Sequence, residues 1–246
     1  MIVKNKAHLK ENVISNHRQR ILQYLMHNPV MTFNQLWDKE GRSNNFAYHI
    51  KSLEKEKLIE KIPEGYRLTK RGITYVSYLQ GDSAEELMLP IMAVAVVVVK
   101  NDRFLMLQRN KEPFHGYWGF PGGKIKFSQY ILESAADCLK EDTGLECNLK
   151  LKGLFSSKTF DNSDLIFNHE IFVVKAENPK GILIGETDKG INKFVSRKDL
   201  KKISLLPNIN LLIDIALGDE FRWVEADRFE EKNKFKDIKV KKDVKL

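Results

Sequence analysis

Residues 117–145 constrain this chain more than any other part of its 246-residue sequence. Tyr117-Trp-Gly-Phe-Pro-Gly-Gly-Lys-Ile leads into a helix expected over 130–142, and Thr143-Gly-Leu closes it. Gly122 and Gly123 carry no Cβ, so the backbone there is able to approach a phosphate closely. On a helix, positions i, i+3 and i+4 share one face, which directs Cys138, Glu141 and Asp142 toward a single site. Just before the glycines, Trp118 or Phe120 is a candidate to stack on a base, with core packing the alternative for Trp118, and Arg109 is a candidate partner for a phosphate.

The flanking sequence reads as a sheet. Residues 90–100 form a nearly unbroken apolar run, Asn101-Asp is a turn, and 103–109 is a second strand, so a hairpin is expected. Further strands are expected over 150–155, 164–174 and 193–195, followed by a helix over 208–217. His115 and His169 read as satisfied polar residues, and Glu170 as a candidate general base or metal group. In the tail, Phe221 and Trp223 are docking residues. The lysine-rich end, 232–246, is either a basic disordered arm or a short added strand around Ile238 and Val240.

The 117–145 stretch resembles the Nudix box, G-x5-E-x7-R-E-U-x-E-E-x-G-U with U aliphatic, a loop-helix-loop that holds Mg²⁺ against a diphosphate. Gly123, Leu139, Gly144 and Leu145 match its framework, and Glu141-Asp142 its final acidic pair. Gln129 stands at the first glutamate, Asp137 at the arginine and Cys138 at the glutamate that follows. Segments at 105–109, 113–123, 190–200 and 205–207 are also similar to Nudix sequences, so the resemblance covers about residues 89–217. It implies an α/β/α sandwich with a mixed sheet. It also implies ligand binding at Arg109, Trp118, Phe120, Gly122 and Gly123, and metal binding at Glu141 and Asp142, with Glu141 catalytic if the chain is active. A thiol is a poor ligand for a hard ion, so Mg²⁺ is expected to be weak or absent, and whether the chain is an enzyme stays open. Asp137 lies about 100° around the helix from position 138, too far to replace it directly. Glu133, Asp137 and Glu141 do form an acidic row at i, i+4 and i+8.

Toward the N-terminus, apolar spacing predicts a helix over 14–26, broken by His27-Asn-Pro, and a short second helix from the cap Thr32 to near Gly41. A third, over 43–57, turns Phe46, Ile50 and Leu53 inward and Asn44, Tyr48, Lys51 and Lys55 outward. Two short strands around Pro63-Glu-Gly and a helix over 69–79 follow. This order resembles the winged helix-turn-helix of small bacterial and archaeal regulators. The resemblance implies a third helix in the major groove, with Asn44, Tyr48, Lys51 and Lys55 facing DNA and Arg67, Lys70 and Arg71 meeting phosphates. Of the net charge of +8, nearly all sits in residues 1–80, which hold 14 Lys and Arg against 7 Asp and Glu. A segment so biased is suited to a polyanion.

The expectation is an α+β multidomain chain: a winged helix over 1–80, a linker over 81–88, a Nudix-like domain over 89–218 and a charged extension over 219–246. Nudix-related transcriptional regulators pair the same two modules, usually in the opposite order. The expected function is a DNA-binding regulator, a homodimer, that senses a nucleotide or nucleoside-diphosphate-type metabolite. The alternative is a Mg²⁺-dependent pyrophosphohydrolase. Pro90 interrupts the longest apolar run, which falls short of the roughly 20 residues that cross a bilayer. There is no apolar signal region near Met1, and two cysteines, Cys138 and Cys147, make no disulfide framework, so a cytoplasmic protein without membrane contact is expected.

Overall fold

The structure, a computed structural model, describes residues 16–37, 39, 43–79, 88–231 and 234–246. The expected linker lies outside these residues except for Met88, as does the expected start of the first helix. The chain divides into two compact units, Met1–Met88 and Leu89–Leu246.

In the first unit, α1 (Asn16–His27), α2 (Phe33–Leu36) and α3 (Ser43–Lys55) precede the strands β1 (Ile59–Ile62) and β2 (Gly65–Leu68) and the helix α4 (Lys70–Val76). Thr32 caps α2 as expected, in a capping box closed by Gln35. The helix is shorter than expected, however: Trp37 is already extended, so α2 ends after one turn rather than near Gly41. Phe46, Ile50 and Leu53 of α3 pack with Ile21, Leu22 and Leu25 of α1 in a shared core, which is why the apolar spacing on the two helices is matched. β1 and β2 pair antiparallel from Ile59↔Leu68 to Ile62↔Gly65. The Thr69 hydroxyl accepts from the Gly72 N–H and starts α4.

The second unit is built on a mixed sheet, ten-stranded among the described residues, with the order β12-β11-β7-β8-β3-β4-β10-β9. Its strands are β3 (Ile91–Lys100), β4 (Arg103–Arg109), β5 (Trp118–Gly119), β6 (Gly122–Lys124), β7 (Glu146–Asp161), β8 (Asp164–Lys180), β9 (Glu186–Thr187), β10 (Gly190–Ser196), β11 (Arg222–Glu231) and β12 (Lys234–Lys245). The β3·β8 and β11·β7 pairs are parallel and the other pairs antiparallel. Two helices, α5 (Ile131–Thr143) and α6 (Ile209–Leu217), cover the sheet. Alternate residues of β3 divide between two cores: Val94, Val96 and Val98 pack with Ala135 and Leu139 of α5, and Ala95 and Val97 with Leu212, Ile213 and Ala216 of α6. A helix on each face explains why β3 is apolar on both sides.

The expected hairpin of β3 and β4 pairs only at Val99↔Phe104 and Lys100↔Arg103. Beyond that the strands splay, and β6 pairs with β3 while β5 pairs with β4. The glycine loop is thereby wedged between two core strands. The tail becomes two long strands rather than a disordered arm: β11 runs along β7, and β12 forms the sheet edge. Among the described residues, no helix is long and apolar enough to cross a membrane.

Candidate functional site

The glycine loop pairs with β3 along one edge and meets α5 directly at Cys138 and Asp142. At Gly122 the backbone lies so close to β3 that a Cβ would fall 2.1 Å from the Val94 carbonyl oxygen, with φ at +153°. Close packing against a strand therefore demands this glycine, independently of any ligand. A Cβ on Gly123 would stand 3.1 Å from Cys138 Sγ, so the loop backs directly onto the thiol. Gly144 ends α5 in the left-handed conformation, with its N–H on the Lys140 carbonyl.

Glu141 and Asp142 are neighbours in sequence with opposite surroundings. The Glu141 side chain is 59% exposed and lies 4.0 Å from Lys126 Nζ. Asp142 is fully buried, and its Oδ1 accepts a hydrogen bond from Lys189 Nζ. Its Oδ2 makes no hydrogen bond of good geometry, although the Gly122 amide lies close enough to favour the ionised form. Burial pushes the Asp142 carboxyl up and Lys189 opposes that shift. For Lys189, burial works against the ammonium, but the Asp142 carboxylate outweighs it and the net shift is upward, so the lysine stays charged at neutral pH. The Cys138 thiol is also pushed up, by burial first and then by Asp142, which keeps it protonated.

Lys189 is held firmly. Its amide donates to Thr187 Oγ1 at 3.3 Å, and its carbonyl accepts from the Asn110 N–H at 3.2 Å. Three residues on, buried Asn192 donates to the Asp142 and Ile184 carbonyls at 2.6 and 2.9 Å, tying β10 to the end of α5. Gly190 pairs with Arg109, which brings the arginine beside this turn. Arg109 Nε donates to the Pro113 carbonyl at 2.9 Å, and burial lowers its pKa against the opposing charge of Glu112.

The expected ligand set thus divides. Gly122, Gly123 and Asp142 come together where the loop meets α5, Glu141 is exposed beside them, and the Arg109 backbone pairs with Gly190 next to Lys189, whereas Trp118 and Phe120 pack against the core on the α6 side. Gln129 donates to Asp137 at 2.6 Å, so these two departures from the box meet each other. The acidic row is engaged within the chain: Glu133 accepts from the Tyr130 N–H, Asp137 from Gln129, and Glu141 lies 4.0 Å from Lys126 Nζ. Among the described residues no group of three His, Cys, Asp or Glu is placed to hold a metal ion. The donor set does not fit Mg²⁺, because the buried carboxylate is held by an ammonium and the third position is sulfur, a soft donor, where a hard ion takes oxygen.

Glu170 accepts from Ser156 Oγ at 2.5 Å and lines a cavity of about 580 Å³ with Trp223, Asp227 and Lys241. His115 is exposed, its N–H reaching Glu112 at 3.5 Å. His169 is neutral, driven down to about 4 by burial and by Arg228, whose guanidinium lies 3.3 Å from its Nδ1. Sequence reasoning missed Lys189, Asn192 and Arg228, because each reaches its partner across strands and none belongs to a local motif.

In the first unit, Asn44, Tyr48, Lys51 and Lys55 are all exposed on α3, Tyr48 at 68%. Lys70 and Arg71, in the first turn of α4, are exposed too. Arg67 is paired with Glu60 at 2.7 Å, both side chains about half exposed.

Residues 89–212 match the family model described as NUDIX domain. The chain is 25% identical over 122 residues to the Nudix hydrolase YvcI of Bacillus subtilis (strain 168), covering 49% of this chain and 75% of that protein. It is 33% identical over 73 residues to the ADP-ribose pyrophosphatase of Methanocaldococcus jannaschii, covering 29% of this chain and 43% of that one. The fold is similar to that of the MutT protein from Bacillus halodurans, with a TM-score of 0.52 at 22% identity over 61% of this chain and 97% of that chain.

Proposed function

The chain belongs to the NUDIX domain family, and we propose that it is a DNA-binding transcriptional regulator whose Nudix domain senses a nucleotide or nucleoside-diphosphate-type metabolite. The first unit is read as a winged helix, with β1 and β2 as its wing. The observation that carries the reading is the outer face of α3, where Asn44, Tyr48, Lys51 and Lys55 recur at i, i+4, i+7 and i+11 and are all exposed. Polar and basic side chains in that row suit a helix laid in the major groove, while Lys70 and Arg71 suit flanking phosphates. Arg67 is free to exchange Glu60 for a phosphate, since an exposed pair contributes little. A donor set unsuited to Mg²⁺ supports sensing over turnover in the Nudix domain. ADP-ribose is the first ligand to try, because one relative is an ADP-ribose pyrophosphatase. A ligand that binds two states of the protein unequally shifts DNA affinity by the same coupling, and a homodimer would read two half-sites.

The test is retention of DNA fragments selected from a random pool by the full chain. Lys51→Ala is expected to weaken specific retention about tenfold at moderate salt, the size of one lost charged contact. Lys51 is exposed, so thermal unfolding should be unchanged. Retention equal to wild type sinks the docking of α3. The second reading, a Mg²⁺-dependent pyrophosphohydrolase, is favoured by the same relative. Mg²⁺-dependent release of phosphate-containing products from ADP-ribose, lost in Glu141→Gln, would establish it.

A further inference from the structure

We propose that the Lys189 ammonium takes the place of the divalent cation in this Nudix domain, making the loop and α5 a metal-free site for a phosphoryl anion. The ligand class rests on the sensing reading above, and the exchange of cation rests on geometry alone.

Asp142 is fully buried, and a carboxylate in that setting needs a cation against it. Lys189 supplies one from the turn between β9 and β10. It is no wandering surface lysine, since its amide, its carbonyl and the nearby Asn192 clamp the turn to β4 and to the end of α5. One turn back along α5, Cys138 is the wrong donor for a hard ion and a tolerable neighbour for an ammonium. Glu141 lies 4.0 Å from Lys126 Nζ in an exposed pair that contributes little. The buried carboxylate of the motif is the one answered by a cation of the chain itself.

A lysine ammonium has three donors, and Lys189 directs one to Asp142. Its side chain is 30% exposed, so the other donors are not sealed off, and the next residue, Gly190, pairs with Arg109 in the sheet. A single charge on nitrogen attracts a phosphoryl oxygen but carries no bound water to ionise, so the site recognises an anion without generating a nucleophile.

The deciding measurement is titration of the full chain with Mn²⁺ alone, followed by the free-ion electron paramagnetic resonance signal. The wild-type chain is expected to show no saturable binding up to millimolar Mn²⁺. Lys189→Ala combined with Cys138→Glu, which exchanges the ammonium for a third oxygen donor, is expected to gain at least about tenfold in Mn²⁺ affinity and to lose it with Asp142→Asn. Saturable binding by wild type that disappears in Asp142→Asn overturns the proposal, and that arm needs no refolded double variant. In parallel, inorganic pyrophosphate is expected to bind wild type equally in Mg²⁺ and in a chelator, about tenfold more weakly after Lys189→Gln. Binding that requires Mg²⁺, or no binding in either condition, overturns the anion site. Failure of the sensing reading looks different: DNA retention indifferent to ADP-ribose, with both of these results unchanged.

Discussion

Burial and the adjacent Arg228 guanidinium, with Lys124 also contributing, hold His169 at about 4 in the folded chain against 6.5 when unperturbed. Between those two values the unfolded chain binds a proton that the folded chain does not. Stability is therefore complete above pH 6.5 and is lost as pH falls toward 4, by about 2 kcal/mol once partial exposure of the ring is allowed for. Thermal unfolding followed from pH 7 to pH 4 should show that slope, and His169→Gln should flatten it; an equal slope in the variant would place the proton uptake elsewhere. At the same scale, Glu141 and Asp142 show where motif reading stops. Their adjacency on one helix face was legible from spacing, but nothing local distinguishes an exposed carboxylate from one sealed against Lys189, 47 residues away.

At the scale of elements, the contact between β7 and β11 turns on Gly153. A Cβ there would lie 2.1 Å from the Arg222 carbonyl oxygen and 2.6 Å from Ile215 Cγ2, so neither the added strand nor α6 leaves it room. Gly153→Ala should destabilise the second unit by about 1–3 kcal/mol, as overpacking does, and a urea midpoint followed by tryptophan fluorescence measures it. An unchanged midpoint would mean that β11 tolerates displacement from β7. The helices were the legible elements, because α1, α3, α5 and α6 each carry apolar residues at helical spacing. β7 and β8 run well beyond their expected ends, since polar residues such as Lys152, Ser157 and Thr159 occupy buried positions and hide the alternation. β11 was masked in the same way by buried Arg228 and Glu230. The splayed start of the sheet was not legible at all, because the insertion of β5 and β6 between β3 and β4 is set by topology.

Across the whole molecule, charge rather than packing distinguishes the two ends of the chain: residues 1–80 carry most of the +8 excess. On the reading of the first unit as a DNA-binding domain, Arg67, Lys70 and Arg71 meet phosphates and each releases condensed counterions on docking. The logarithm of DNA affinity should then fall against the logarithm of salt with a slope of about −3 per protomer. A filter-binding series over moderate salt measures it, and a slope near zero would exclude phosphate contact by these three residues. The second unit ends in a different use of lysine. β12 lies at one edge of the sheet with Lys234, Lys236, Lys239, Lys241, Lys242 and Lys245 exposed, and β9, at the other edge, has only two residues. Open strand edges are templates for further strands, and the like charge along β12 disfavours a further strand on that side. There the sheet is self-terminating. Two copies are thereby steered away from joining β12 to β12 in a continuous ribbon.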